Sequence, residues 1–186
     1  MLPVKEVMTE EEHLIERLKM PEQRRAAFEE VVRLYSRPLY QQIRRVVIWH
    51  DDADDVLQNT FVKAWLSIDS FRGDAKLGTW LYRIAFNESI TFLSKVKQIV
   101  PLDEGIAEVG RNLESDPYFD GDEAQLLLEK ALMMLPPKQR IVFNLKYFDE
   151  MKYEEISEML NTSVGALKTS YHLAVKKIED FLKLHL

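Results

Sequence analysis

Apolar side chains recur at spacings of three and four along most of the chain, a period that predicts helices and no strands. The clearest case lies near the C-terminal end. Tyr153, Ile156, Met159 and Leu160 share one face of a helix of about two turns. Asn161, Thr162 and Ser163 interrupt the period with short polar side chains suited to turns, and Ser163 can cap a following helix by accepting from its free amides. From Val164 onward, Leu167, Tyr171, Ala174, Ile178 and Leu182 step by four, three, four and four, which gathers them on one core-facing stripe. Gly165, Thr169, His172 and Lys176 then point the other way, with Lys168 at one edge. The pattern reads as a helix-turn-helix whose second helix offers small, hydrogen-bonding and cationic groups suited to base edges and phosphates. An ordinary amphipathic helix with a solvated face has the same pattern, and these residues alone do not choose between the two.

Upstream, Thr9 and Glu12 form a capping-box pair ahead of Leu14, Ile15 and Leu18, predicting a short N-terminal helix. Phe28, Val31, Val32 and Tyr35 continue the helical spacing, and Leu39, Ile43, Val46 and Val47 resume it after Pro38, which should break or kink the pair. From Asp54, a strong helix has Val56, Leu57, Thr60, Phe61, Ala64 and Ile68 available for a core. A second stripe, Asp55, Gln58, Val62 and Trp65, is left for something else. Phe71 to Ala75 read as a loop. In the helix after it, Leu77, Leu81, Ile84, Ala85, Ile90 and Leu93 can be buried, while Lys76, Trp80, Arg83 and Asn87 lie on another side. An aromatic among cations and an amide suits an unpaired base, and equally suits a half-buried Trp beside solvated charges. The period is lost over 96–121, where Pro, Gly, Ser and Asp collect. Helices resume at 122, and Pro136 and Pro137 stop one and start the next.

Composition narrows the function classes. At 186 residues and 46% hydrophobic, the chain suits one ordinary domain or two small ones. No apolar run is long enough to span a bilayer and no basic-then-apolar leader opens the sequence, so a cytoplasmic protein is expected. The absence of cysteine excludes disulfides, cysteine-ligated zinc and thiol catalysis. The net charge of −6 is unevenly spread: residues 103–130 carry 9 acidic and 2 basic side chains, whereas residues 24–102 carry 9 and 12. Two slightly basic modules joined by an acidic connector are compatible with local nucleic-acid contacts.

His50 to Asp55, HDDADD, could bind a metal, but Asp51 and Asp52 sit where negative charge is favoured by a helix N-terminus, and capping is the reading adopted. The four histidines form no ligand spacing, and no phosphate-binding glycine loop, zinc signature or nucleophile elbow appears. An enzyme, a metal site and a cofactor are therefore not expected. A plain helix-turn-helix regulator, with residues 24–95 as an effector or dimerisation domain, and a helical scaffold without a DNA role are the rival readings.

Four segments in order, DADDVLQNTFVKAW, FRGDAKLGTWLYRIAFN, LPPKQRIVFNLKYFDEMKYEEISEML and SVGALKTSYHLAVKKI, resemble regions two and four of a bacterial RNA polymerase sigma factor of the extracytoplasmic-function, sigma-70-like class. The resemblance implies an all-α fold of two small helical domains, 1–95 and 122–186, joined by a linker at 96–121. It implies that Asp55, Gln58, Phe61 and Trp65 dock on the clamp coiled coil of the polymerase beta-prime subunit. Arg72, Gly73, Lys76, Trp80, Arg83 and Asn87 would open the minus-ten promoter element and hold its flipped base. Ser163, Gly165, Lys168, Thr169, His172 and Lys176 would contact the minus-thirty-five element, and the acidic linker would thread into the polymerase. Core polymerase, promoter DNA and an anti-sigma factor are the implied partners. Two departures stand out: Ser170, Leu173 and Val175 occupy a stretch where many members carry arginines, which implies a lighter phosphate grip, and Lys152 replaces a capping serine or threonine.

Overall fold

The computed structural model describes residues 9–47, 50–73, 75–96 and 123–185, and every regular element among them is helical. In chain order these are α1 (Glu10–Lys19), α2 (Pro21–Val47), α3 (His50–Ser67), a 3-10 turn (Ile68–Ser70), α4 (Leu77–Val96), α5 (Glu123–Met133), α6 (Pro137–Tyr147), α7 (Tyr153–Leu160) and α8 (Val164–His185). The chain divides into two compact units, residues 1–44 with 48–88, and residues 45–47 with 89–186. Most of the acidic connector, and with it the expected path of the linker, lies outside the described residues.

In the first unit, α1 starts as its sequence dictates. Thr9 Oγ1 accepts from the Glu12 amide at 3.2 Å, and Glu12 Oε2 accepts from the Thr9 amide at 2.7 Å. The expected break at Pro38 does not occur, because α2 runs unbroken from Pro21 to Val47. Proline removes the bond to the carbonyl of Leu34, yet Leu34 and Pro38 both lie on the exposed side, where water can satisfy that carbonyl. Ala27, Val31, Leu39 and Ile43 stay buried on the other side, so packing carries the helix across the gap in its ladder. Helix α3 also begins earlier than its periodicity suggests, at His50, which puts Asp51 and Asp52 inside the first turn. Ala53, Val56, Thr60 and Ala64 are its buried stripe, the Thr60 hydroxyl donating to the Val56 carbonyl at 2.7 Å. In α4, Leu77, Leu81 and Ala85 are buried together with Phe86 and Ser89, which the spacing argument leaves out; Ile84 and Ile90 are only half-buried.

Crowding at the start of α3 has a pH signature. Partial burial, then the charges of Asp55 and Asp51, raise the Asp52 carboxyl above its usual range. A carboxyl raised on folding binds its proton more readily in the native state, so the penalty is absent at acid pH and grows as pH rises through the folded pKa. Asp52→Asn should therefore raise the melting temperature at neutral pH, by an amount worth less than about 1 kcal/mol at so exposed a site. The gain should vanish in melts recorded near pH 3.

In the second unit, Pro136 is the N-cap of α6 and Pro137 its first residue, where the missing amide costs nothing. The turn between α5 and α6 is closed by Arg140, only 4% exposed. Its Nε donates to the Leu132 carbonyl at 2.8 Å and an Nη to that of Met133 at 2.7 Å, both at the C-terminal end of α5. Burial, only partly offset by the charge of Glu129, lowers its pKa to about 10, so it remains charged at neutral pH. Lys152 precedes α7 without an acceptor to offer, but the return half of a capping box survives: the Glu155 carboxylate accepts from the Lys152 amide at 2.8 Å. Asn161 ends α7 in the left-handed region at φ 50°, a conformation asparagine tolerates, and the Thr162 amide bonds the Ser157 carbonyl at 3.2 Å. The core joins Ala131, Leu132 and Leu135 to Phe143, Ala174 and Ile178, with Tyr171 and Leu182 packed against it. Tyr171 stacks on Phe143 at 5.8 Å between centroids, so the stripe read from α8 is the side that faces the core.

Candidate nucleic-acid interface

Helix α8 is built as a surface. Ser163 Oγ accepts from the Ala166 amide at 3.3 Å, which fixes the start of the helix with Ser163 itself exposed. Gly165, Lys168, Thr169, His172 and Lys176 are all exposed, whereas Leu167, Ala174 and Ile178 are buried. A methyl added at Gly165 would meet nothing within 4 Å, so this end of the helix is open to close approach. The Thr169 hydroxyl donates to the Gly165 carbonyl at 3.0 Å, leaving its oxygen lone pairs and methyl outward. The Lys168 ammonium lies 5.7 Å from the Tyr153 ring centroid and that of Lys146 lies 5.3 Å from the same ring. Such contacts are worth about 0.5 to 1 kcal/mol at exposed sites and narrow the positions the Lys168 chain samples. Tyr153, on the apolar face of α7, thus also lies beneath the Lys168 and Lys146 ammonium groups. Leu173 is 42% exposed among these polar groups, an apolar contact offered where an arginine is common in the resembling family.

In the first unit, the loop after the 3-10 turn carries the second set of candidates. Gly73 has φ 82°, a left-handed value that any side chain would strain, and it turns the chain between exposed Arg72 and exposed Lys76. Trp80 is half-buried, its ring 5.1 Å from that of buried Phe71 with a 43° tilt. Phe71 therefore backs Trp80, a partnership that residue spacing does not reveal. Arg83 follows on the same side of α4, partly buried, and Asn87 lies exposed one turn on. Arg24 braces the loop entry, donating to Asp69 at 2.7 Å and, through Nε, to the Leu18 carbonyl at 3.0 Å.

The third set lies on α3. Asp55 and Gln58 are exposed, and so are Val62 and Trp65 of the same stripe. Trp65 is 40% exposed although its ring sits edge-on against Phe28 at 5.1 Å, and Leu66 beside it is 76% exposed. Phe61 is half-buried against the same Phe28 ring at 6.3 Å, so it shapes the edge of this face and supports it from below. Phe28, which in the sequence only continues the helical spacing of α2, faces α3 and is the base on which both aromatics stand. An apolar ridge bordered by a carboxylate and an amide has the composition of a protein-docking surface.

Comparisons with known proteins identify the family. Residues 31–98 match the family described as sigma-70 region 2, and residues 125–178 match sigma-70, region 4. The chain is 37% identical over 156 residues to the ECF RNA polymerase sigma factor SigW of Bacillus subtilis, covering 78% of this chain and 83% of that protein. It is 29% identical over 177 residues to the ECF RNA polymerase sigma-E factor of Escherichia coli K12, covering 90% and 91%. Among solved structures it resembles CnrH bound to the cytosolic domain of CnrY, with a TM-score of 0.63 and 26% identity over 92% of this chain and 96% of that one. It also resembles the sigma factor RpoE bound to the anti-sigma factor NepR from Bartonella quintana, with a TM-score of 0.59 and 25% identity over 84% and 96%. With region 2 and region 4 in order and this degree of identity to SigW, the chain belongs to the extracytoplasmic-function family of RNA polymerase sigma factors, which direct the polymerase to promoters at the start of transcription.

Proposed function

We propose that this sigma factor divides its work among three surfaces, with residues 1–95 serving as region two, 96–121 as linker and 122–186 as region four. Asp55, Gln58, Phe61 and Trp65 dock on the clamp coiled coil of the beta-prime subunit. Arg72, Gly73, Lys76, Trp80, Arg83 and Asn87 recognise and open the minus-ten element, and Ser163, Gly165, Lys168, Thr169, His172 and Lys176 read the minus-thirty-five element. Opening a duplex requires a surface that compensates for unstacking, together with cations for the strand, and no catalytic group. The factor accordingly acts without chemistry of its own, in the cytoplasm. No helix among the described residues is long and apolar enough to cross a membrane. An anti-sigma factor is a further expected partner, since the similar RpoE is bound by the anti-sigma factor NepR and the similar CnrH by the cytosolic domain of CnrY.

The observation that carries the reading is the exposure of Gly165, Lys168, Thr169, His172 and Lys176 on a helix whose opposite stripe is buried, within a chain that matches both sigma regions. Reconstitution with core polymerase should give promoter-dependent run-off transcripts that neither component makes alone. Their absence on a library of promoter fragments would refute the assignment. The cation supply of the reading face is small, so its electrostatic share of binding should be too. Lys168→Ala should lower the slope of log affinity against log salt concentration by about one unit, as loss of one phosphate contact does. An unchanged slope would remove Lys168 from the phosphate contacts.

A further inference from the structure

We propose that helix α1 is a clasp for the minus-ten loop and that Glu11 is its positioning residue, setting the start of α4 so that Arg72, Lys76 and Trp80 are held in register for the unpaired strand. The inference rests on the minus-ten assignment above and extends it to a helix that none of the three surfaces includes. Glu11 Oε1 accepts a hydrogen bond of 2.7 Å from the backbone amide of Leu77, the first residue of α4. Free amides at a helix start need acceptors, and a carboxylate there also meets the positive end of the helix dipole. What is unusual is the source: the acceptor comes from 66 residues away in the chain, so the bond ties two elements together and does more than cap one.

Neighbouring contacts make the tie specific. A Cβ at position 78 would stand 3.1 Å from Tyr35 Cε1, a tight contact that glycine avoids where the first turn of α4 comes against α2. Burial raises the Tyr35 hydroxyl pKa, and the charge of Glu11 adds to the effect, placing the carboxylate beside that ring. At the loop's other end, Ile15, Leu18 and Lys19 of α1 line one small cleft with Ile68, Asp69 and Phe71. Phe71 is the residue against which Trp80 rests. Helix α1 is thus tied to both ends of the segment, by a charged hydrogen bond where the loop enters α4 and, at the 3-10 turn, through Arg24, which donates to the Leu18 carbonyl at 3.0 Å and to Asp69 at 2.7 Å. Arg72, Gly73 at positive φ and Lys76 thus lie between two held ends, which lowers the ordering cost when a base is bound.

The test uses the full chain assembled with core polymerase, in wild-type, Glu11→Ala, Glu11→Gln and Trp80→Ala forms. The probe is a labelled single-stranded oligonucleotide carrying the non-template minus-ten sequence of a promoter that the wild-type holoenzyme transcribes. Losing a charged hydrogen bond that orders the loop should weaken oligonucleotide binding by Glu11→Ala about tenfold. Glu11→Gln keeps an acceptor and should recover part of that loss, with core affinity and melting temperature of both variants near wild type. Wild-type oligonucleotide affinity in Glu11→Ala, or a loss of core affinity in parallel with it, overturns the proposal, the second outcome marking a merely structural role. If Glu11→Ala does not fold, an undiminished oligonucleotide affinity in Glu11→Gln with no recoverable deficit likewise overturns it. Trp80→Ala separates the two levels: if it binds the oligonucleotide normally, the minus-ten assignment itself fails; if it is impaired and the Glu11 variants are not, only the clasp fails.

Discussion

Trp80→Ala should leave affinity for core polymerase at the wild-type level and sharply reduce transcription from duplex promoters, whereas Trp65→Ala should lose core affinity itself. The two tryptophans occupy different structural situations. Trp65 stands on Phe28 with 40% of its surface open, at the centre of an apolar ridge with Val62 and Leu66. Truncating an aromatic anchor of this kind costs at least about 2 kcal/mol in a protein interface, roughly thirtyfold in affinity. Trp80 rests on Phe71 next to the loop of Arg72 and Lys76. Removing a stacking aromatic costs about 1 to 3 kcal/mol per base, here expressed in strand opening. A template with a pre-melted bubble removes part of the unpairing cost, so it should rescue Trp80→Ala more than Trp65→Ala. Equal loss of core affinity in both variants, or no rescue of either by the bubble, would show that the first unit is not divided into a polymerase face and a melting face.

Arg140→Ala is expected to be the most destabilising single change in the second unit. The guanidinium is buried and its forked donors reach the Leu132 and Met133 carbonyls, so truncation leaves both at a buried helix end without their partner. Each unsatisfied buried group costs about 1 to 3 kcal/mol, and the combined loss should reach about 3 kcal/mol or more in urea unfolding of the full chain. Arg140→Lys should fall between, because a single ammonium cannot reproduce the fork. With a pKa of about 10, Arg140 stays charged from pH 6 to 8, and the loss should be the same across that range. A deficit below 1 kcal/mol would mean that water replaces the guanidinium easily and that the turn at Pro136 and Pro137 holds without it.

Whatever depends on residues within a turn or two of one another is legible in the chain alone. The capping box of Thr9 and Glu12, the proline start of α6, the turn at Asn161 and the two faces of α8 follow from side chains that can reach only near neighbours in a helix. Which candidates share a face was legible for the same reason: Gly165, Lys168, Thr169, His172 and Lys176 are gathered by helical periodicity before any packing is known. Tertiary structure decided what supports them. Local rules stop α2 at Pro38, but burial on the far side carries it through. Phe28 reads as another core residue until α3 brings Phe61 and Trp65 onto its ring. Nothing in the local sequence marks Arg140 as the partner of the α5 carbonyls or Glu11 as the partner of the first amide of α4. Hydrogen-bond donors and acceptors far apart in the chain carry no mark of their partner's identity, because the pairing is chosen by how whole helices pack, and that choice sums apolar contacts over the entire unit.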